Sequence, residues 1–475
     1  MARPQVSLLS DEEIEILDEH TLTVLEDVGV SVPVPEALDL LEAGGATVDR
    51  TTSVARIPRE LVGRCLETVP DQVLLAARDP KHDVVLGDGS VTFTSDGTAT
   101  YVVDDLTGER FEGSAEYQRT LNRLFDALPD VDYIWPTISA RDLDPVACDL
   151  EIQSIAWRNC TKHVQDEIRT PELAAPMLDM MAAVAGETPR ERPVFSQINC
   201  TLAPLSHDPA MTEASMVLAR AGVPIAIMPM PLMGTTAPIT VAGVTVMCMA
   251  ELLSAVVIFQ LAAPGCPLIA SPEPDSADLR SGLYICASPE GRAATLACIE
   301  MSKHYDLPTQ GGGFDGDAKA PDYQNGIEGA DVLLDVLVGA DSCVGLGCFD
   351  GAQATSLATI VLHNDAAGLV KEELRRVRLS LDADSCLIDD IRAVGPGGHF
   401  MGQRSTRQQA HDVWQPSVLR RGTFSASQGR TVIEDAVERA QEILATHEVP
   451  PLPDDVDRHI DEVIATQRRL TVDTA

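Results

Sequence analysis

Residues 221–229 (AGVPIAIMP), 263–271 (APGCPLIAS) and 305–313 (YDLPTQGGG) repeat one phrase: the end of a helix, a turn, and a strand opened by proline. Each run after the turn is too short for a helix and is bounded by Gly and Pro, as a strand buried on both faces would be. Working outward, the same beat sounds at 133–139 (YIWPTIS), 162–165 (KHVQ), 194–199 (VFSQIN) and 342–349 (SCVGLGCF). Helix-length amphipathic segments lie between these runs, among them Pro209 to Ala221, Val241 to Ala262, Glu290 to Tyr305 and Gln324 to Gly339. Seven such strands, with an eighth that the pattern does not place, predict an α/β protein built on a (β/α)8 TIM-type barrel. No G-x-G-x-x-G opens the first unit, which counts against a doubly wound dinucleotide-binding sheet.

Either side of the barrel the texture differs. Ser10 and Glu13 form a capping box ahead of a first helix that Gly29 ends, and VPEALDLLEAGG repeats the pattern with its own glycine stop. VTFTSDGTATYVVDDLTGERFEG (91–113) reads as β structure with two glycine turns. Residues 1–125 are therefore expected to be an N-terminal helical and β-hairpin extension packed on the barrel, 126–400 the catalytic barrel, and 401–475 C-terminal outer helices. The last of these also suits an oligomer contact, and a homo-oligomer is expected.

The 475 residues carry 73 acidic and 35 basic side chains, a formal net charge of −38, and only five of the basic ones are lysine. Such an anionic surface repels nucleic acid and anionic membranes, which excludes both as expected partners. Adaptation to a salty cytoplasm, or a GC-rich genome's preference for arginine over lysine, accounts for the acidity better than a functional charge field. The eleven cysteines are odd in number and contain no C-x-x-C, so reduced, mostly buried thiols and a cytoplasmic location are expected. The longest apolar stretch, 239–265, holds Glu251 near its middle and lacks aromatic or basic flanks, so it is expected to be a buried helix. The N-terminus has no basic-then-apolar leader pattern.

In a barrel the chemistry sits at the carboxyl ends of the strands. That rule brings forward Gln165 and Asp166, Gln197 and Asn199, Met228 to Met233, Ser271 to Glu273, Gly311 to Asp331, and Gly347 to Asp350. The stretch GGGFDGDAKAPDYQNGIEGAD (311–331) has no G-K-[S/T] and so is no phosphate loop. Counted from Asp315, Ala320 and Gly326 stand where a calcium loop needs Gly and Glu. What remains is a glycine-ended strand followed by a polar rim loop, with the glycines expected to let a bulky ligand approach the backbone. The ten histidines show no H-x-x-x-H or H-E-x-x-H, and no bound metal is expected.

Five stretches, 96–110 (DGTATYVVDDLTGER), 234–269, 278–292 (DLRSGLYICASPEGR), 317–331 (DAKAPDYQNGIEGAD) and 395–416 (GPGGHFMGQRSTRQQAHDVWQP), resemble in order the trimethylamine methyltransferase superfamily, over about residues 10 to 425. The resemblance implies a βα barrel and corrinoid-dependent methyl transfer, in which a methylated amine gives a methyl group to Co(I) of a cobalamin carried by a separate corrinoid protein. Founding members use pyrrolysine in the barrel; this sequence has only standard residues, and so resembles the branch acting on quaternary amines such as glycine betaine. A quaternary ammonium expels a neutral amine without needing a proton, so a dry, positioning site suffices.

Such a site is expected to offer aromatic faces, carboxylates at moderate distance and donors for a substrate carboxylate. Aromatics make up only 4% of the chain, which narrows the cage to Tyr101, Trp135, Phe314, Tyr323, Phe349 and Phe400. Asp317, Gln324 and Glu328 are the preferred polar catalytic residues, and His399 is expected to orient substrate or face the corrinoid. Lys319 or an arginine would serve the substrate carboxylate. Glu251, a buried anion needing a partner, reads as structural more readily than as substrate-binding. Two alternatives stay open: a methyltransferase of the same fold with another methylated amine donor or a folate acceptor, and a non-catalytic barrel that binds cationic osmolytes.

Overall fold

The computed structural model describes residues 5–97, 99–377, 385–423 and 429–472. Eight parallel strands alternate with eight helices: β1 (Thr92–Ser95), α1 (Ala115–Ala127), β2 (Tyr133–Ile134), α2 (Cys148–Asn159), β3 (His163–Asp166), α3 (Pro171–Ala185), β4 (Phe195–Leu202), α4 (Pro209–Arg220), β5 (Ile225–Met228), α5 (Val241–Ala262), β6 (Leu268–Ala270), α6 (Pro289–His304), β7 (Gln310–Gly313), α7 (Val332–Val338), β8 (Ser342–Leu346) and α8 (Leu357–Val377). Each strand pairs in parallel with the next, and β8 pairs with β1 through Ser342 and Thr92. A single parallel bridge, Ala270 with Thr309, closes the cylinder between β6 and β7. The expected barrel is present.

The eighth strand is β1, which lies inside the segment assigned to the N-terminal extension. The barrel thus begins before residue 126, and the expected boundary cuts through its first βα unit. The other N-terminal expectations match: the Ser10–Glu13 capping box opens the helix Asp11–Thr23, and Gly29, at φ 80°, ends the turn that follows. The predicted hairpin pairs Tyr101–Val103 with Arg110–Glu112.

A second hairpin, Val73–Leu75 with Val84–Leu86, sends side chains against Tyr133, Ile198, Ala226 and Ile269 of the barrel interior. It sits at the amino ends of the strands, where the Ala76 carbonyl meets His163 Nδ1 at 2.8 Å. That end is plugged, so open space is confined to the carboxyl ends. Higher in the barrel the filling is polar: Gln310 donates to Gln165 Oε1 (2.8 Å), and Tyr133 and Ser342 share a 2.7 Å hydrogen bond. This hydrogen-bonded polar layer forms the floor of the mouth, with Gln310 Oε1 left without a partner among the described residues.

Helix α5 is the one helix among the described residues long and apolar enough to cross a membrane, and most of it is buried within the protein against the N-terminal helices. In the C-terminal region, Val432–Thr446 packs on α8 and α1, and Asp454–Val472 on α3 and α2. Both cover the barrel of their own chain.

Candidate active site

The carboxyl ends of six barrel strands surround a cavity of about 420 Å³. β1 contributes Asp96, β2 Trp135, β5 Met228 and Met230, β6 Glu273 and Asp275, β7 Asp315, and β8 Val344. The loop between β6 and α6 adds Tyr284 and Cys286, and the first turn of α6 adds Arg292. Trp135 is nearly fully buried, its Nε1 donating to Asp166 at 3.2 Å. Residue 97 must be glycine there, because a Cβ would overlap the indole. Although Tyr284 is 44% exposed as a residue, its hydroxyl reaches in and donates to Asp275 Oδ2 at 2.5 Å.

Four carboxyl groups face this space, and burial dominates each. Burial pushes the Asp96 carboxyl above its ordinary value. It pushes Asp315 well above, with the negative charge of Asp96 adding to the effect. Glu273 is raised well above by burial and then by Asp275, and Asp275 itself is pushed up to about 8. The cause is simple: desolvated anions crowd together with too little positive charge. Arg292 is the cation at the wall, and its Nη2 donates to both oxygens of the fully buried Asp335 at 2.7 Å. Paired in this way, Arg292 offsets only part of the burial cost of Glu273 and Asp275. One Asp315 oxygen, one Glu273 oxygen and the Arg292 Nε are buried without a hydrogen-bond partner among the described residues.

The raised acids fix a pH dependence. A carboxyl at about 8 when folded and 3.8 in the ordinary state keeps a proton in the native protein that the unfolded chain releases. Its contribution to stability is full below pH 3.8 and is lost as pH rises through 8. The melting temperature of the ligand-free protein should fall between pH 6 and 8.5, and a bound cation should restore it. Scanning calorimetry reads this directly, and a melting temperature that rises over that interval contradicts it.

The loop that follows β7 is braced by residues expected to be catalytic. The Asp317 carboxylate accepts from the backbone amides of Cys286 and Ala287, each at 3.1 Å, and so holds the Tyr284 strand over the cavity. Glu328 accepts from the Ala318 amide at 2.9 Å and from Gln324 Nε2 at 2.8 Å. The glycines of β7 line the cavity and also serve the fold: a Cβ on Gly312 (φ +64°) would strike the Asp335 carboxylate, and one on Gly313 the Val344 carbonyl. Asp317→Ala should release the 284–287 segment, raising KM about tenfold with a smaller change in kcat, because it frees a wall and removes no group that touches the reacting centre. Steady-state kinetics decide it; an equal fall in kcat with KM unchanged would place Asp317 at the chemistry instead.

Of the individual residues given a catalytic or substrate-binding role from sequence, Trp135 alone lines the cavity, while the strand-end stretches put forward supply Met228, Met230, Glu273 and Asp315 to its wall. Phe314 turns the other way, stacked on His363 at 4.7 Å and 5.9 Å from Phe93, where it borders a separate cavity of about 600 Å³ beneath α8. Tyr323 stands 92% exposed at the edge of that second space. Phe349 is buried against Val103 and Ala354, and Tyr101 lies under the Arg110 guanidinium at 5.6 Å. Lys319 is an exposed side chain bonded to Asp350, away from the cavity wall. His399 and Phe400 are exposed beside the turn Phe400–Gly402. Glu251 accepts from Thr201 Oγ1 at 2.5 Å and the Leu205 amide at 2.8 Å, so its buried charge has the structural partners the sequence suggested.

Asp96, Asp315, Asp275, Tyr284, Cys286 and Arg292 were not singled out. Asp315 sits two residues after the last strand glycine, Asp96 and Asp275 follow β1 and β6, and Tyr284, Cys286 and Arg292 lie in the 278–292 stretch, so position relative to strand ends was the available signal. Among the described residues, Asp96, Asp315 and Cys348 are also the group able to hold a metal ion, with donor atoms within 4.8 Å of one another.

A family model described as trimethylamine methyltransferase (MTTB) matches residues 1–471. Trimethylamine methyltransferase MttB of Desulfitobacterium hafniense is 29% identical over 474 residues, 98% of this chain and 93% of that protein. A glycine betaine methyltransferase of the same species is 26% identical over 470 residues, covering 97% of each. The crystal structure of MtmB in its hydroxylamine complex superposes with a TM-score of 0.50 at 14% identity, over 91% of this chain and 92% of that one, a likeness of fold alone.

Proposed function

The chain belongs to the trimethylamine methyltransferase family and is a methyltransferase, and on that premise we propose that it moves a methyl group from a quaternary amine to Co(I) of a corrinoid carried by a partner protein. The observation that carries this reading is the meeting, at one barrel mouth, of the Trp135 side chain with four carboxyls that burial raises above their ordinary values. A cation resting on Trp135 gains about 0.5–2 kcal/mol from the ring. It also replaces the protons that burial forces on the acids, so a fixed positive charge supplies what the empty cavity lacks. The glycine betaine methyltransferase relative supports a quaternary donor.

The corrinoid is a second substrate and supplies the nucleophile. The chain positions the donor, excludes water and leaves the departing amine neutral, so no general acid is required at the nitrogen. Met228 and Met230 make the cavity wall apolar on the β5 side, where an uncharged methyl group is best accommodated. As the cation becomes a neutral amine the carboxyls lose their partner, which favours product release over rebinding. Eleven unpaired thiols fit a reducing, cytoplasmic setting. Incubation with reduced cobalamin and a panel of quaternary amines tests the assignment. Formation of methylcobalamin from at least one is expected, and its absence with all of them would remove the proposal.

A further inference from the structure

We propose that residues 385–412 form an arm that seats in the cavity beneath α8 of a second copy of this chain, the two copies exchanging arms reciprocally. Not one residue of 385–412 is buried, although the segment folds into the short helices Ile388–Val394 and Arg404–Gln409 and the turns Phe400–Gly402 and Ala410–Asp412. Its large apolar side chains stand in water: Leu387, Ile388, Ile391, Phe400 and, at 81% exposure, Met401. So many exposed apolar groups on one excursion of the chain mark a surface that another molecule covers. A stretch of this length matches the about 20–30 residues that each side gives to a stable interface.

The same chain carries a receptacle of matching character. The cavity of about 600 Å³ beneath α8 is walled by Phe314, Leu362, Leu369, Leu419 and Ile433, and no residue of the arm lines it. Tyr323 on its edge and Ile327, next to the lining Gly326, are as exposed as the apolar groups of the arm. Two copies at −38 each repel one another, so association needs faces of locally opposite charge. Residues 393–411 hold Arg404, Arg407 and two histidines with no acid, whereas the 320–331 wall of the cavity holds Asp322, Glu328 and Asp331 with no cation. The opposite wall settles its own charges, with Arg420 and Arg430 both paired to Asp435. Arm and cavity also share α8: the chain returns from the arm at Trp414, beside Gly368, while Leu362 and Leu369 of the same helix line the cavity. A two-fold axis beside α8 lets each arm reach the other copy's cavity and closes the contact without open-ended growth. Phe314 borders this cavity and Asp315 the one at the barrel mouth, so the second copy's arm backs the wall of the mouth.

Sedimentation velocity of the full chain tests this. The parent should sediment at twice the chain mass or an even multiple of it; a monomer or a trimer overturns the inference. Ile391→Glu with Met401→Glu on the arm should halve that mass, and so should Tyr323→Lys with Ile327→Lys on the rim. Circular dichroism should stay unchanged in both, because all four side chains are exposed within one chain. A mass that stays at the parent's value in either variant overturns the exchange. Mixing the two variants restores one native contact and sets the glutamates of one arm against the lysines of the other rim. The mixture should therefore associate at least tenfold more tightly than either variant alone. No recovery on mixing means that arm and cavity do not meet, and overturns the proposal as well.

Discussion

Asp315→Asn is expected to lower kcat/KM for methyl transfer by about two orders of magnitude while leaving the protein as stable as before, or more so. The opposite signs follow from one cause. In the ligand-free protein Asp315 faces Asp96 with an unpartnered oxygen and no cation, so its charge is a liability to the fold. Asparagine keeps the shape and removes that liability. For a bound ammonium the same charge is an attraction of roughly 3 kcal/mol at about 5 Å and an effective dielectric near 20, or on the order of 100-fold. Stability and activity should therefore move apart, as they do where a site is held in a costly state for function. Denaturant unfolding and single-turnover kinetics on one preparation measure both. Activity within threefold of the parent would show that Asp315 does not meet the donor.

Asp335→Ala is expected to cost about 3–5 kcal/mol of folding stability, because it strands the Arg292 guanidinium in a wall where its side chain is only 18% exposed. Burial works to lower the Arg292 affinity for its proton, but the Asp335 charge and hydrogen bonds hold it above the ordinary value, so the pair acts as one unit. The loss should appear as a lower urea midpoint with an unchanged slope. The vacated space lies against Gly312, whose left-handed backbone exists to admit that carboxylate, so an alanine leaves a gap there as well. A cost under 1 kcal/mol would mean that Arg292 finds another partner, with Glu273 the nearest in character.

The barrel was legible in the sequence because β5, β6 and β7 share a proline-opened phrase that owes nothing to distant contacts. The stretch holding β1 was read as β structure but not as a barrel strand, because Thr92–Ser95 is four residues long, has polar side chains at three of its positions and runs straight into a hairpin region. Its place in the barrel comes from pairing with β8 and β2, which no local pattern records. Strand ends pointed to the right region of the site, and Met228, Met230 and Glu273 lie where that rule placed them. The choice of aromatic and acidic partners failed at β7, where the register shifts between Gln310 and Gly313. After that shift Phe314 points into the packing beneath α8 and Asp315 into the mouth, the reverse of what the composition of the loop suggested. Asp317 and Glu328 resemble catalytic acids in sequence, yet Asp317 spends both oxygens on backbone amides and Glu328 spends its own on the Ala318 amide and the Gln324 side chain, roles only the folded loop reveals.

The most direct test is a crystal structure of the protein soaked with tetramethylammonium, the simplest fixed cation. Density for the ion is predicted inside the 420 Å³ cavity, with nitrogen within about 6 Å of the Trp135 ring and facing Asp315. An ion bound elsewhere, or a cavity holding only water at saturating tetramethylammonium, would contradict the assignment of this mouth as the seat of a cationic methyl donor.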